Sequence, residues 1–113
     1  MNSDLNIEKC IPCSIGTPSL YGEELNLLLK EINSDWKLVD EIKIERTFRF
    51  DNFIHALGFV NKVGALAEEE GHHPDIEFGW GKAKIILTTH KIKGLSRNDF
   101  ILASKIDNLI QLL

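Results

Sequence analysis

Four side chains in the second half of the chain are of the types that move protons: Glu68, His72, His73 and His90. An imidazole titrates near neutrality, so a group of them can both give and take protons at cellular pH. Glu68 precedes His72 by four residues, about one helical turn, and so can accept from that ring and fix its tautomer. Pro74 restricts His73 to extended backbone and presets the direction of the second ring. Taken alone, a His pair in a loop reads as plain surface polarity; Glu68 and His90 beside it favour chemistry. A metal reading is weaker, because adjacent rings in extended backbone point apart and the HExxH spacing is absent. His55 falls on the outer side of an expected helix and reads as solvated.

Asp99 carries a structural reading first. Ser96 and Asp99 have the spacing of a capping box, with Leu95 and Phe100 in the staple positions around it. Cys10 and Cys13 form a lone CxxC. With no second pair of ligands it is half a metal site, and no strand-to-helix turn precedes it to lower a thiol pKa. Ser14, Gly16, Thr17 and Pro18 follow as an irregular lead-in. Residues 1–18 are therefore expected to be a flexible arm with incidental thiols, and residues 19–113 a single domain.

The elements that must position these groups are legible from apolar spacing. Leu25, Leu28, Leu29 and Ile32 make the stripe of a first helix within Leu20 to Ile32, ended by Asn33, Ser34 and Asp35. Trp36 and Leu38, a turn at Asp40-Glu41, then Ile42, Ile44, Phe48 and Phe50 alternate as a half-buried hairpin. Asp51 stands where an N-cap is wanted for a second helix with the stripe Phe53, Ala56, Leu57, Val60, Val63 and Ala67, closed by Gly71. Gly58 and Gly64 inside it suggest close backbone packing. Ile76, Phe78 and Trp80, a turn at Gly81-Lys82, and the β-branched run from Ala83 to His90 read as a second hairpin. The last helix follows Ser96, with Leu102, Ala103, Ile106, Leu109, Ile110 and Leu113 on one face. Ile101 and Leu112 lie off that face and hint at subunit packing. The order α-β-β-α-β-β-α predicts an α+β fold: a four-stranded antiparallel sheet covered on one face by three helices.

The 113 residues carry 13 Lys+Arg against 17 Asp+Glu, a formal net charge of −4, and 43% are hydrophobic. That length suits one domain with its own core, with no need of a disulfide or metal staple. The acidic balance lacks the basic stripe of nucleic-acid binding, so no nucleic-acid partner is expected. No apolar run approaches the roughly 18 residues of a membrane span, and the start, MNSDLNIEK, has no signal-peptide layout. A cytoplasmic protein with a small-molecule or protein partner, away from membranes, is the expectation.

Glu68-x3-His72-His73-Pro74, then Trp80, His90 and Asp99 at their spacings, resembles the signature of the pterin-4a-carbinolamine dehydratases. The resemblance runs from Leu20 to the C-terminus through Phe48-Arg49-Phe50-Asp51-Asn52-Phe53, Phe59-Val60-Asn61, Thr89-His90 and Gly94-Leu95-Ser96. Tyr21, where the family usually has Ser or Thr, and Gly71, where some members have an acidic residue, depart from it. The resemblance implies dehydration of 4a-hydroxytetrahydropterin to quinonoid dihydropterin, which recycles the cofactor of an aromatic amino-acid hydroxylase. It implies His72, His73 and His90 as the proton-transferring set with Glu68 orienting His72, Thr89 as a contact to the pterin, and Trp80 as either packing or a pocket wall. Pro74 falls with the substrate-binding residues; Ser96 and Asp99 serve as caps. No metal or other cofactor is required by such chemistry. Homodimers or homotetramers are implied, and so are two alternatives without turnover: a dimerisation cofactor of a transcription factor, or a pterin-related binding or assembly protein.

Overall fold

A computed structural model describes residues 4–111. Three helices, α1 (Gly22–Glu31), α2 (Phe53–Glu70) and α3 (Arg97–Gln111), alternate with strands β1 (Lys37–Val39), β2 (Lys43–Arg49), β3 (Asp75–Gly79) and β4 (Lys82–Leu87). The strands form one antiparallel sheet in the order β1-β2-β4-β3. Each hairpin pairs sequence neighbours, and β2 pairs with β4 at the centre, so the α+β architecture expected from the patterning is the one observed.

Alternation along the central strands builds the core. Ile44 and Phe48 on β2 and Ala83, Ile85 and Leu87 on β4 face inward and are buried, as period two requires. Against them lie Phe59 and Val63 of α2 and Phe100, Leu102 and Ile106 of α3. Phe59 is fully buried and stacks on Phe48 and Phe50, with ring centroids 4.6 and 5.2 Å apart. The buried face of α2 is thus Ala56, Phe59, Val63, Ala67 and Glu70, and the expected stripe is rotated: Phe53 is partly exposed, and the ring at its centre is Phe59.

Other local expectations shift for local reasons. The N-cap of α2 is Asn52 rather than Asp51; its Oδ1 accepts the His55 N–H at 2.9 Å, as a cap should. Gly71 ends α2 with φ 68° and gives its N–H to Ala67 O, the left-handed closure expected of it. A Cβ on Gly58 or Gly64 would meet nothing within 4 Å, so neither glycine serves a close backbone approach. The turn of the first hairpin does fall at Asp40 and Glu41, both with positive φ. In the second hairpin the turn residues are Trp80 and Gly81, which takes Trp80 out of the strand.

The N-terminal segment lies against α3. Leu5, in a short 3-10 turn (Leu5–Ile7), is fully buried and joins the core with Ile101. Ile101 is therefore covered by the chain's own segment, which is what the second apolar face of the last helix accommodates. Leu112 and Leu113 fall outside the described residues. Glu8 makes a bidentate pair with Arg97 at 2.8 and 2.6 Å. The Cys10 N–H donates to Glu70 Oε1 at 3.0 Å, and Asn98 brackets Ile11, accepting its N–H at 2.9 Å and donating to its carbonyl at 2.6 Å.

Candidate functional site

The connection after α2 and the connection after β4 meet beside the first turn of α3, and that meeting brings the histidines together. Left-handed Gly71 reverses the chain so that His72 turns inward and Pro74 leads directly into β3. On the other side β4 stops at Leu87. A 3-10 turn, His90–Ile92, with Lys93 in the left-handed region, returns the backbone so that Thr89 and Gly94 pair. A cleft of about 240 Å³ results, lined among others by His72, His73, Thr88, Thr89, His90 and Asn98. His90 and Thr88 also border an adjoining depression with Asp75 and Glu77.

Asp99 is the fixed point of this site. Its side chain is fully buried, and three donors reach it: His72 Nε2–H to Oδ1 at 2.6 Å, the Thr89 hydroxyl to Oδ2 at 2.8 Å, and the Ser96 N–H to Oδ2 at 2.9 Å. The Thr89 hydroxyl is also 2.7 Å from the Ser96 hydroxyl. Because Thr89 spends its one proton on Asp99, Ser96 is the donor in that pair. A carboxylate stripped of water needs such compensation, and here it is complete. The capping box is therefore half of what the spacing implied: Asp99 caps through the Ser96 N–H, whereas the Ser96 hydroxyl turns to Thr89. With Nε2–H held by Asp99, the lone pair of His72 sits on Nδ1.

His73 has the other carboxylate. Its Nε2 contacts Glu68 Oε2 near the surface. This corrects the expected pairing: Glu68 orients His73, and His72 is oriented by Asp99. The reason lies in Gly71, whose left-handed turn breaks the helical register that would have stacked His72 over Glu68. His90 is exposed, with Nε2 3.9 Å from Asp75 Oδ2, beyond hydrogen-bond reach. The three imidazoles thus share one cleft in three different environments: half-buried and clamped by Asp99, exposed and paired with Glu68, and exposed beside Asp75 without a hydrogen bond to it.

The remaining expected site residues divide. Thr89 lines the cleft, but its hydroxyl is committed to Asp99 and Ser96 and its N–H to Gly94 O at 2.8 Å, so it holds the site together and has no donor left for a ligand. Pro74 shapes the backbone after His73 without lining the cleft. Trp80 is at the far tip of the β3–β4 hairpin, about 17 Å along the strand from Asp75 by the usual rise per residue, and is 73% exposed; it is neither a cleft wall nor core packing. Among the described residues no group of three His, Cys, Asp or Glu side chains could hold a metal ion, since each ring turns to a different carboxylate. Thr88, Lys91 and Asn98 line the cleft beside the expected residues without having been foreseen, and so do Pro12 and Cys13. No spacing in the sequence signals the last two, because they arrive from the opposite end of the chain. For Asp99 the signal was present in its distance from His90 and was outweighed by the cap.

Residues 18–109 match the family model for pterin 4 alpha carbinolamine dehydratase. A protein of Rubrobacter xylanophilus, provisionally named a pterin-4-alpha-carbinolamine dehydratase, is 53% identical over 107 residues, 95% of this chain and 99% of its own. A similarly named protein of Alkaliphilus metalliredigens is 49% identical over 105 residues, 93% of this chain and 95% of its own. Such coverage takes in most of the N-terminal segment as well as the domain. Among solved structures, a transcriptional coactivator/pterin dehydratase of Brucella melitensis superposes with a TM-score of 0.75 at 29% identity, over 80% of this chain and 97% of that one. A pterin dehydratase-like protein identified as a RuBisCO assembly factor in the alpha-carboxysome gives a TM-score of 0.57 at 26% identity, over 66% and 88%.

Proposed function

Since the chain belongs to the pterin 4 alpha carbinolamine dehydratase family and is by that membership a hydro-lyase, we propose that it removes water from 4a-hydroxytetrahydropterin by histidine acid–base catalysis, giving quinonoid dihydropterin. The observation that carries the reading is the pair of carboxylate-held imidazoles, His72 on Asp99 and His73 on Glu68, opening with His90 on one cleft. Loss of the 4a-hydroxyl needs a proton delivered to the departing oxygen, while a ring N–H gives up its proton as the double bond forms. A neutral His72, with Nε2–H fixed by Asp99, presents a basic Nδ1, and the buried carboxylate stabilises the imidazolium that forms when it takes a proton. His73, wetter and paired with Glu68, serves as the acid, or the two exchange roles between hydroxyl stereoisomers. His90 completes the set from the exposed side. All of this runs on side chains of the chain itself.

In the cell this reaction would recycle the tetrahydropterin of an aromatic amino-acid hydroxylase, in the cytoplasm, from a homodimer or homotetramer. The test follows the decay of enzymatically generated 4a-hydroxytetrahydropterin by its ultraviolet absorbance. Wild type accelerates it, and His72→Ala and His73→Ala each lose roughly 100-fold or more with the fold intact by circular dichroism. Decay at the uncatalysed rate with wild type would reject the reading.

One observation favours a second reading, a protein-binding role of the kind named for the structural neighbours: Phe53, Ile54, Phe78 and Trp80 leave apolar surface exposed near the hairpin tip, and Phe53 and Phe78 stack at 5.4 Å. The two readings separate under His73→Ala, which removes turnover and leaves that surface untouched.

A further inference from the structure

The N-terminal segment does more than cover α3. Pro12 and Cys13, with Asn98 beneath them, line the histidine cleft on one side and a second cavity of about 360 Å³ on the other, so the backbone here is a thin partition between two hollows. Two anchors hold it, each a sequence neighbour of the proton-transfer residues. Glu70, two residues before His72, takes the Cys10 N–H and is itself buried against Lys105 at 2.5 Å. Asn98, one residue before Asp99, brackets Ile11 with two hydrogen bonds, and its side-chain amide also reaches Cys13 Sγ at 3.7 Å. Cys10 Sγ turns away to the Asn98 carbonyl at 3.7 Å. The CxxC spacing therefore splits the two thiols, placing Cys13 at the cleft and Cys10 behind the partition.

We propose that residues 10–13 form a wall of the pterin-binding cleft, with Cys13 against the bound pterin and Asn98 as the positioning residue that holds the wall shut. This rests on the dehydratase reading and adds to it a division of labour. The histidines and their carboxylates set the rate of proton transfer, and the wall sets how tightly the ring system is held. An amide bracket on the backbone fixes where Pro12 and Cys13 stand, and their apolar and thiol surfaces suit the edge of a flat heteroaromatic ligand. Loss of the bracket removes contact area from bound substrate and transition state alike, which raises KM with little change in kcat.

Iodoacetamide reads the wall directly, through peptide mass spectrometry of the full chain. Burial, and then the nearby Glu70 carboxylate, push the Cys10 thiol up to about 12, so Cys10 alkylates slowly near neutrality and the label reports Cys13. The ligand is 7,8-dihydrobiopterin, stable and shaped like the product, with its binding followed independently by its own fluorescence. Saturating ligand is expected to slow Cys13 alkylation about tenfold or more, and Asn98→Ala to raise KM about tenfold while kcat falls far less. Ligand that binds but leaves Cys13 alkylating at its free rate overturns the wall while sparing the dehydratase reading. Failure of dihydrobiopterin to bind at all overturns both. A fall in kcat at constant KM in Asn98→Ala also overturns the proposal, because Asn98 would then be acting through Asp99. The protection experiment needs no variant and stands even if Asn98→Ala fails to fold.

Discussion

The two carboxylates beside the histidines make similar contacts in very different surroundings, and that difference ranks them. Asp99 is shut away from water with three donors on its two oxygens, so its hold on His72 is undiluted by solvent. Glu68 and His73 are exposed, and an exposed pair is worth about 1 kcal/mol at most. Asp99→Asn keeps the shape but presents a neutral amide to His72, which disfavours the imidazolium and disturbs the tautomer. A loss in kcat of about 100-fold is expected, against less than about tenfold for Glu68→Gln. Steady-state dehydration kinetics check both. Equal losses for the two variants would contradict the ranking. At this scale the sequence was a fair guide to which residues gather and a poor guide to who holds whom. The nine-residue step from His90 to Asp99 is visible in the chain, but the reversal at Gly71 that hands His72 to Asp99 is a backbone event with no pattern around it.

Among the elements, α3 does the most joining: its first turn holds the site and the N-terminal segment, and its last turns hold the first hairpin. Its start was legible because Leu95, Ser96, Asp99 and Phe100 state a cap and a staple in adjacent positions. The burial of Ile101 was not, since the residue covering that face, Leu5, is nearly the whole chain away in sequence and sits in a segment whose Gly, Pro and Ser content looks like a loose lead-in. The same distance hid the bracket at Asn98. The segment is pinned by two carboxyls that hold their charge unusually well. The Arg97 guanidinium lowers Glu8 below its ordinary 4.5. Burial works to raise Glu70, yet Lys105, the Cys10 N–H and Lys9 more than offset it, and Glu70 too is lowered. A carboxyl lowered in the folded state contributes stability that is full above its ordinary pKa and is lost as pH falls through the folded one. Below about pH 4.5 the segment should therefore loosen ahead of the sheet. Faster hydrogen exchange at the Cys10 and Ile11 amides than at Ile44 and Ile85 on acidification, after correction for intrinsic rates, would register this; a single concerted loss would refute it.

For the molecule as a whole, the first hairpin and the segment leading into it are tied to α3 through one polar knot. Asp107 of α3 accepts from Trp36 Nε1–H at 2.8 Å, from Arg46 at 2.6 Å and from the Asn33 N–H at 3.2 Å. Arg46 occupies the inward face of β2 between Ile44 and Phe48 and lies 4.4 Å over the Phe48 ring, an inward charge that period-two reading takes for a gap in the core. Asp107→Ala leaves the indole N–H without its acceptor and the Arg46 guanidinium with the more exposed Asp35 carboxylate, 3.6 Å away, as its remaining partner, and a buried donor left without its partner costs about 1–3 kcal/mol; urea unfolding should show the midpoint lowered with the slope unchanged. The two tryptophans stand at opposite extremes, Trp36 4% exposed inside this knot and Trp80 73% exposed at the hairpin tip. They make the protein its own pair of optical probes. Trp36 should emit to the blue and ignore iodide until the knot opens, while Trp80 emits to the red, is quenched from the start, and stays blind to anything bound at the histidines. With Trp36→Phe and Trp80→Phe separating the signals, an emission change confined to Trp80 on mixing would report contact at the hairpin tip, and one confined to Trp36 would report a change in the fold.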